Sequence, residues 1–569
     1  MTQTLRDTAF GKLVRLATHK RYFQYPEEKD PDICRYYLRP EKEVIDEQLK
    51  AEEENPESFG LFTVLSQASR VTSRAASRFD GEHRDTAEDK NGATIETKRF
   101  VVDWRDAHDS ENPQNWSTTK KFLVSTLIWI LTFSIYIGSA IYSPGIPGVS
   151  EEFHVSRVAA TLGLTLFVLG YGLGPMVWSP LSELPAIGRG PIYVLTLAVF
   201  VFFEFAVIYP NSFGMLMAFR FLTGFIGSPA LATGAASMSD IWSPKIRDYM
   251  IVIWGMFAIS APVLGPSIGG FAYSAYGWRW TIWPLLWVSA FCLILMVFLL
   301  PETYAPTILA SRAKRVRRIT KCQHYVAEAE IEVMNITGQQ LVFEALVRPF
   351  QLTFLEPIVF IMDLYIALIY GILYIWFEAF PMVFEEIRGF NPGESGLAFL
   401  GILISTCCIT VPAYFLWKYL YQSKHFDSNN NIAPERQLPP ACFGAFCLPI
   451  SLFFFGWTGQ FASVHWIVPI IGSMFFATGG CLIFNCIFCY QAHAYPKYAA
   501  SVLAGNDFLR SSFGAGFPLF ASAMFHNLDV GWACTLLGCL TVLFIPYPFV
   551  LYRYGKKLRL KSRWARHDI

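Results

Sequence analysis

Charge is scarce in this chain. Of its 569 residues only 16% are Asp, Glu, Lys or Arg, and 46 basic against 45 acidic side chains leave a formal net charge of +1. An ordinary soluble domain carries roughly a quarter charged residues, so the deficit argues against a purely soluble enzyme. The near balance removes any global electrostatic case for a nucleic-acid partner. Histidine is sparse too: among ten, only His465, His493 and His526 fall near apolar runs, each at an end. With no Gly-rich phosphate-binding loop either, neither a membrane acyltransferase nor an ATPase finds its chemistry here, and no metal or cofactor is expected. Twelve cysteines would suit a disulfide framework only in a short secreted chain. Most of them, such as Cys292, Cys481, Cys486 and Cys534, lie inside apolar runs and read as small buried hydrophobes. No basic start, apolar core and cleavage site mark a secretory signal.

What the chain has instead is apolar bulk: 53% hydrophobic residues, with 50 Phe, 26 Tyr and 16 Trp. Residues 1–118 are the exception, polar and broken by runs such as Glu52-Glu53-Glu54. No apolar stretch there reaches the roughly 17 residues that cross a bilayer. This segment is expected to be a largely disordered cytosolic arm, with a helix over 41–54. Beyond it, long apolar runs recur at 122–142, 158–178, 192–209, 213–235, 250–273 and 280–300, and again at 354–380, 397–417, 441–457, 466–490, 502–524 and 532–552. Each suffices for a hydrocarbon core of roughly 30 Å. The expectation is an all-α membrane protein with 12 transmembrane helices in two six-helix bundles, 119–303 and 351–554, a central loop at 304–350 and a tail at 555–569.

Basic residues orient it. Arg189, Lys245, Arg247, the cluster Arg312, Lys314, Arg315, Arg317 and Arg318, then Lys418, Lys424, Arg436 and Lys497 follow even-numbered spans. The other breaks are nearly bare, with Arg157, Arg279 and Arg388 as exceptions. The positive-inside rule then puts both termini in the cytosol, and makes the central cluster a topology signal rather than a lipid or nucleic-acid site.

Ionisable side chains inside spans are costly, so each is a functional candidate. Arg220 lies about two turns into the fourth span and needs an anionic or carbonyl partner. Glu204, at similar depth in the third span, is a candidate partner; the alternative is an ion pair that merely holds two helices in register. Asp507 and Arg510 share a helical face in the eleventh span, as a self-contained pair or as part of a network that breaks when two halves move. Glu378 sits among aromatic residues in the seventh span and is the preferred proton carrier; Asp363, near the other end, is placed at the cytosolic interface. In the fifth span Pro262, Gly265, Pro266, Gly269 and Gly270 crowd one helix. Prolines remove backbone hydrogen bonds and glycines admit a close neighbour, which suits a hinge or a tight interface.

These patterns resemble a known family. Residues 261–270 are similar to the fifth-helix antiporter motif of the major facilitator superfamily, with Ala261 where glycine is usual. Arg220-Phe-Leu-Thr-Gly224 resembles its fourth-helix motif, whose arginine is implicated in proton coupling. Glu183, Gly188 and Arg189 resemble its gating loop, with Leu184 replacing an arginine. That departure, with Asn112-Pro-Gln-Asn-Trp116, Gly277-Trp-Arg-Trp280, Pro301-Glu-Thr303 and Tyr370-Gly-Ile-Leu-Tyr374, resembles the fungal twelve-span drug:proton antiporters of the benomyl, fluconazole and cycloheximide resistance type. The resemblance runs from about residue 103 to the C-terminus. It implies the major facilitator fold and alternating access, a monomeric plasma-membrane exporter of hydrophobic or amphipathic small molecules, and a proton gradient in place of a cofactor. It further implies a central cavity, for which Phe133, Tyr136, Trp254, Tyr365, Tyr374, Phe475, Phe476 and Asn485 are candidates. Aromatic walls of this kind take flat, apolar molecules without strict hydrogen-bond readout. Dedicated export of one secondary metabolite, or nutrient import, are the alternatives.

Overall fold

An apolar run that crosses lipid has no partner for its backbone but itself, and so folds as a helix. The computed structural model describes residues 5–19, 21–37, 86–88, 94–96, 100–334, 346–421, 432–495 and 498–566, with 343 and 424 as isolated positions. The helix expected over 41–54 lies outside them. Span 1 is Thr118–Ala140, span 2 Arg157–Leu173 continued by Pro175–Ser182, and span 3 Arg189–Ile208. Span 4 is Phe213–Gly227 followed by Pro229–Ile241, span 5 Pro244–Tyr276 and span 6 Trp283–Leu299. Span 7 is Pro357–Pro381; span 8 runs from Pro392–Ala398 to Val411–Leu420; spans 9 and 10 are Pro439–Gly459 and Ile467–Ala494. Serine opens three of the helices for a local reason: Ser117, Ser156 and Ser212 each accept from a backbone N–H of the first turn.

Ten helices among the described residues are long and apolar enough to cross a membrane, against twelve expected. Two local breaks account for the difference. Span 4 is interrupted where Pro229 follows Ser228, leaving two shorter helices. Spans 11 and 12 run together as Ala499–Phe544, the chain turning at Asp529 (φ 56°, ψ 164°), with Pro546–Arg559 beyond.

The chain forms two compact units, and the described residues among the first 118 are shared between them. One unit comprises Met1–Phe23, Trp116–Tyr304 and Ile336–Ile569; the other comprises Gln24–Asn115 and Ala305–Asn335. In the first, a nine-residue helix, Ala9–Ala17, opens the chain. In the second, the central-loop helix Ala305–Thr320 carries the basic cluster, and Phe100–Val101 pairs in parallel with Tyr325–Val326. Arg312, almost wholly buried, donates to Asp109 (2.8 Å) and Glu111 (2.9 Å) and faces the Trp104 ring. Arg315 pairs with Glu27, and Arg317 with Glu330 (2.9 Å). Three arginines of the cluster are therefore neutralised by carboxylates, two of them by carboxylates of the segment expected to be disordered.

Burial alone would push Asp109 up, but the hydrogen bond and charge of Arg312 override it and hold the carboxyl below its usual range. Its contribution is complete above the unfolded value of about 3.9 and is lost as pH falls through the lower folded value. Removing one partner of a buried pair strands the other charge at about 3–5 kcal/mol. Arg312→Ala is accordingly expected to open residues 100–115 to limited proteolysis, and an unchanged digestion pattern would refute the clasp.

Candidate functional site

Spans 1–6 and spans 7–12 meet along an interface with polar contacts at three depths. At the end bearing the bare breaks, Arg157 at the start of span 2 donates to Glu378 of span 7 (3.1 Å) and lies 3.9 Å from Glu386. The small residues of span 5 make this end tight. A Cβ on Gly270 would come within 2.3 Å of the Pro392 carbonyl oxygen, and Ser267 Oγ donates to the Gly396 carbonyl (2.7 Å). On the opposite flank a Cβ on Gly265 would strike Ile141 of the first half at 2.8 Å. Span 5 is an unbroken helix through Pro262 and Pro266, so in this closed form the motif is an interface rather than a bend.

At mid-depth three tyrosines converge. Tyr171 of span 2 hydrogen-bonds Tyr370 and Tyr374 of span 7, and Tyr374 donates to Ser139 of span 1 (2.8 Å). Arg510 pairs with Asp507 on its own helix and donates to Tyr136 across the interface (2.9 Å). The pair is thus self-paired and also tied to the other half in this conformation.

At the end bearing the basic breaks, Lys418 of span 8 donates to Asp248 of span 5 (2.8 Å), with both side chains about nine-tenths buried or more. Tyr249 and Phe415 pack edge to face beside them. Arg157, by contrast, keeps 43% of its side chain exposed.

Arg220 lies off this interface, inside the first half. Its Nε donates to the Gly163 carbonyl (2.8 Å) and one terminal nitrogen to the Gly138 carbonyl (2.9 Å), with the guanidinium between the rings of Tyr142 and Phe167. It thus joins spans 1, 2 and 4. The ion pair to Glu204 does not form. Glu204 is fully buried in span 3 and neither carboxylate oxygen meets a hydrogen-bond partner among the described residues. The neutral carbonyl oxygens of Gly138 in span 1 and Gly163 in span 2 supply the acceptors in place of the carboxylate.

Asp363 is likewise not at the water interface. It is fully buried, accepting from Gln491 (2.6 Å), Asn506 (2.7 Å) and Thr353 (3.4 Å). In the gating loop, Gly188 adopts φ 81° and Arg189 pairs with Asp240 (2.8 Å). Burial raises the Glu183 carboxyl, with Arg189 pulling it back in part. Glu302 accepts the N–H groups of Arg189 and Gly190 (both 3.1 Å), placing negative charge at the N-terminus of span 3. That explains the acid in the Pro301–Thr303 motif.

The aromatic cavity candidates divide. Tyr136 and Tyr374 belong to the central network. Trp254 donates to Thr132 of span 1 (2.9 Å), and Phe133 is half-buried nearby. The Asn485 side-chain oxygen faces Gly255 across the interface, while its amide donates to Cys481. Tyr365 stacks on Phe544 and Phe476 packs on Trp376, both within the second half, and Phe475 points outward. An open vestibule of about 740 Å³ lies at the end bearing the bare breaks, lined among others by Glu151, Glu152, Tyr273, Trp278 and Pro392.

The residues not singled out from sequence are Tyr171, Ser139, Arg157, Asp248 and Lys418. Two had a signal available: Arg157 is a lone base in a bare break, and Asp248 an acid beside Arg247 in a basic one. Charges that run against the positive-inside trend are held by something other than topology.

The comparisons agree with this geometry. Residues 128–518 match the Major Facilitator Superfamily. The chain is 45% identical to "Transporter mfs1" of Schizosaccharomyces pombe (82% of this chain, 88% of that one) and 36% identical to the "Cycloheximide resistance protein" of Candida maltosa (99% and 100%). It is 41% identical to "Fluconazole resistance protein 1" of Saccharomyces cerevisiae (84% and 88%). A solved proton:xylose symporter bound to 6-bromo-6-deoxy-D-glucose shares the fold, with 15% identity and a TM-score of 0.53 over 77% of this chain and 96% of that one. The match over most of the chain, the near full-length relatives and the two halves meeting along a polar interface have one reading: this chain belongs to the Major Facilitator Superfamily, alongside fungal transporters and resistance proteins.

Proposed function

We propose that the chain is a proton-coupled exporter of hydrophobic or amphipathic small molecules, among them antifungal drugs and toxins. It works as a monomer in the plasma membrane with both termini in the cytosol. The two halves, 119–303 and 351–554, rock about the central loop. The observation that carries this reading is the pair of ion pairs at opposite ends of the interface, Arg157–Glu378 outside and Asp248–Lys418 inside. A protein that exposes a central site to one side at a time must break one pair while the other holds.

The two are unequal. At the outer pair Glu378 is buried but Arg157 is 43% exposed, so solvent screens it in part, whereas at the inner pair both partners are buried and losing one costs about 3–5 kcal/mol. The outer end therefore opens more readily, and the resting transporter faces outward. A proton from outside meets Glu378 there, beside Arg157, with Glu386 next to Arg157 and His526 next to Glu386. Neutralising Glu378 removes the carboxylate that holds Arg157 and releases the outer end. Glu378→Gln imitates that state and is expected to flatten the pH profile of export. A profile like that of the unmodified protein would shift the carrier role to Asp507 or Asp363. Tyrosine hydroxyls and Arg510 at mid-depth offer bound molecules donors that pair with one another when the site is empty.

Expression in a yeast lacking its own efflux pumps, with growth scored on a panel of unrelated toxic compounds, tests the reading directly. Resistance to several chemical classes is the expected result. Resistance to one class would favour dedicated export of a single metabolite, and accumulation rather than loss of substrate would favour import.

A further inference from the structure

The helix Ala9–Ala17 is strongly two-faced. At 100° per residue, Ala9, Phe10, Leu13, Val14, Leu16 and Ala17 fall within one arc of about 160°, and Gly11, Lys12 and Arg15 fill the opposite one. Only one edge of the apolar arc meets protein. The Phe10 ring lies 4.8 Å from that of Phe298 in span 6, and Thr8 bridges to Pro301, just beyond the end of that span. The other edge is open: Leu13 is 62% and Leu16 78% exposed, and Tyr22 beyond the helix is 61% exposed. Arg15 donates to the Phe23 carbonyl (3.0 Å), folding this continuation back beside the helix.

The open edge continues a surface of known solvent. Trp287, Phe291, Ile294 and Phe298 are all exposed at helical spacing along span 6, which makes them that span's lipid-facing stripe. The stripe ends at Phe298, where the N-terminal helix is seated. The helix thus lies at the depth where acyl chains give way to headgroups, on the end that carries the basic breaks. Its exposed cations, Lys12 and Arg21, together with Arg15 on the polar arc, have the sign that anionic headgroups attract. An apolar face of this width opposite a basic one is the pattern of helices that lie in the plane of a bilayer surface.

We propose that this helix is an interfacial anchor to the inner leaflet. Leu13 and Leu16 enter the acyl region as an extension of the span 6 stripe, and Lys12, Arg15 and Arg21 face anionic phospholipid headgroups. The choice of leaflet rests on the orientation proposed above; contact with lipid does not. The anchor pins the inner end of span 6 to the bilayer surface, at the edge of the first half.

The test places a photo-crosslinking benzoylphenylalanine at Leu16 of the full chain in cell membranes, with Phe291 substituted the same way as a lipid-facing reference. The expected adduct at position 16 is a phospholipid, read as a mass shift of the N-terminal peptide. A protein adduct there, to this chain or another, overturns the proposal, as does no adduct at 16 when position 291 labels lipid. Hydrogen exchange tests the charge component: amides of 9–17 are expected to exchange at least fivefold more slowly in vesicles containing phosphatidylserine than in phosphatidylcholine alone. Leu13→Glu with Leu16→Glu should abolish the protection in both. Equal exchange of the unsubstituted chain in the two vesicles would overturn the headgroup assignment.

Discussion

Arg220→Ala is expected to reduce drug resistance to that of cells without the transporter, at matched protein levels. Arg220 is completely buried, and two of its nitrogens satisfy carbonyls on two other spans. Its removal takes away the side-chain hydrogen bonds that tie span 4 to the Gly163 and Gly138 carbonyls and empties the fully buried space between Tyr142 and Phe167. Stability and transport would then fall together, so the conservative change separates them. Arg220→Lys keeps the charge but replaces a planar fork of donors with a single ammonium point. It is expected to reach the membrane in amounts near those of the unmodified protein and still to export at least tenfold more slowly. Unmodified resistance in Arg220→Ala would remove the residue from the mechanism. Arg220 thus ties spans 1, 2 and 4 together through carbonyls rather than through an ion pair.

The second large effect is at the inner ion pair. Lys418→Ala leaves Asp248 buried and unpaired in the closed inner end, biasing the equilibrium toward the inward-open form. At about 3–5 kcal/mol the shift amounts to roughly 10²–10⁴ in population, moderated by Arg247, which stands 3.8 Å from the same carboxylate. Export is expected to fall at least tenfold, with protease or thiol-reagent access to the inner end rising in parallel. Exchanging the two residues, Asp248→Lys with Lys418→Asp, should recover much of the loss, which a purely local packing defect would not do. Arg157→Ala at the outer end is expected to lower export less than Lys418→Ala does, because Arg157 is 43% exposed and solvent screens its side of the pair, although Glu378 is buried. Equal effects at the two ends would contradict the asymmetry on which the outward-facing resting state rests.

How much of this was legible beforehand depends on the range of the interaction. The spans were readable because apolar length is a property of consecutive residues, and only the Pro229 break in span 4 and the turn at Asp529 altered the count. The fifth-span motif was readable as a tight interface, though not which of its glycines faces the other half. The least legible feature was the arm. Its composition argued for disorder, yet Glu27, Asp109 and Glu111 find partners in Arg312 and Arg315, some 200 residues or more along the chain. Neither set of charges signals a fold alone; together they neutralise one another. Glu204 failed as a partner for Arg220 for the opposite reason: similar depth on adjacent helices says nothing about which way each side chain points around its helix.

By itself the sequence determined that this chain crosses a membrane about twelve times and to which superfamily it belongs, and it set the expected orientation. Those follow from run length, from the side on which basic residues accumulate, and from short motifs, all of them local. Only the tertiary structure decided which of the few buried charges meet: Arg157 with Glu378, Asp248 with Lys418, Arg510 with Tyr136, and Arg220 with two carbonyls. In lipid an isolated charge is costly, but which partner it meets is set by helix rotation and packing across the whole bundle, which no stretch of sequence contains.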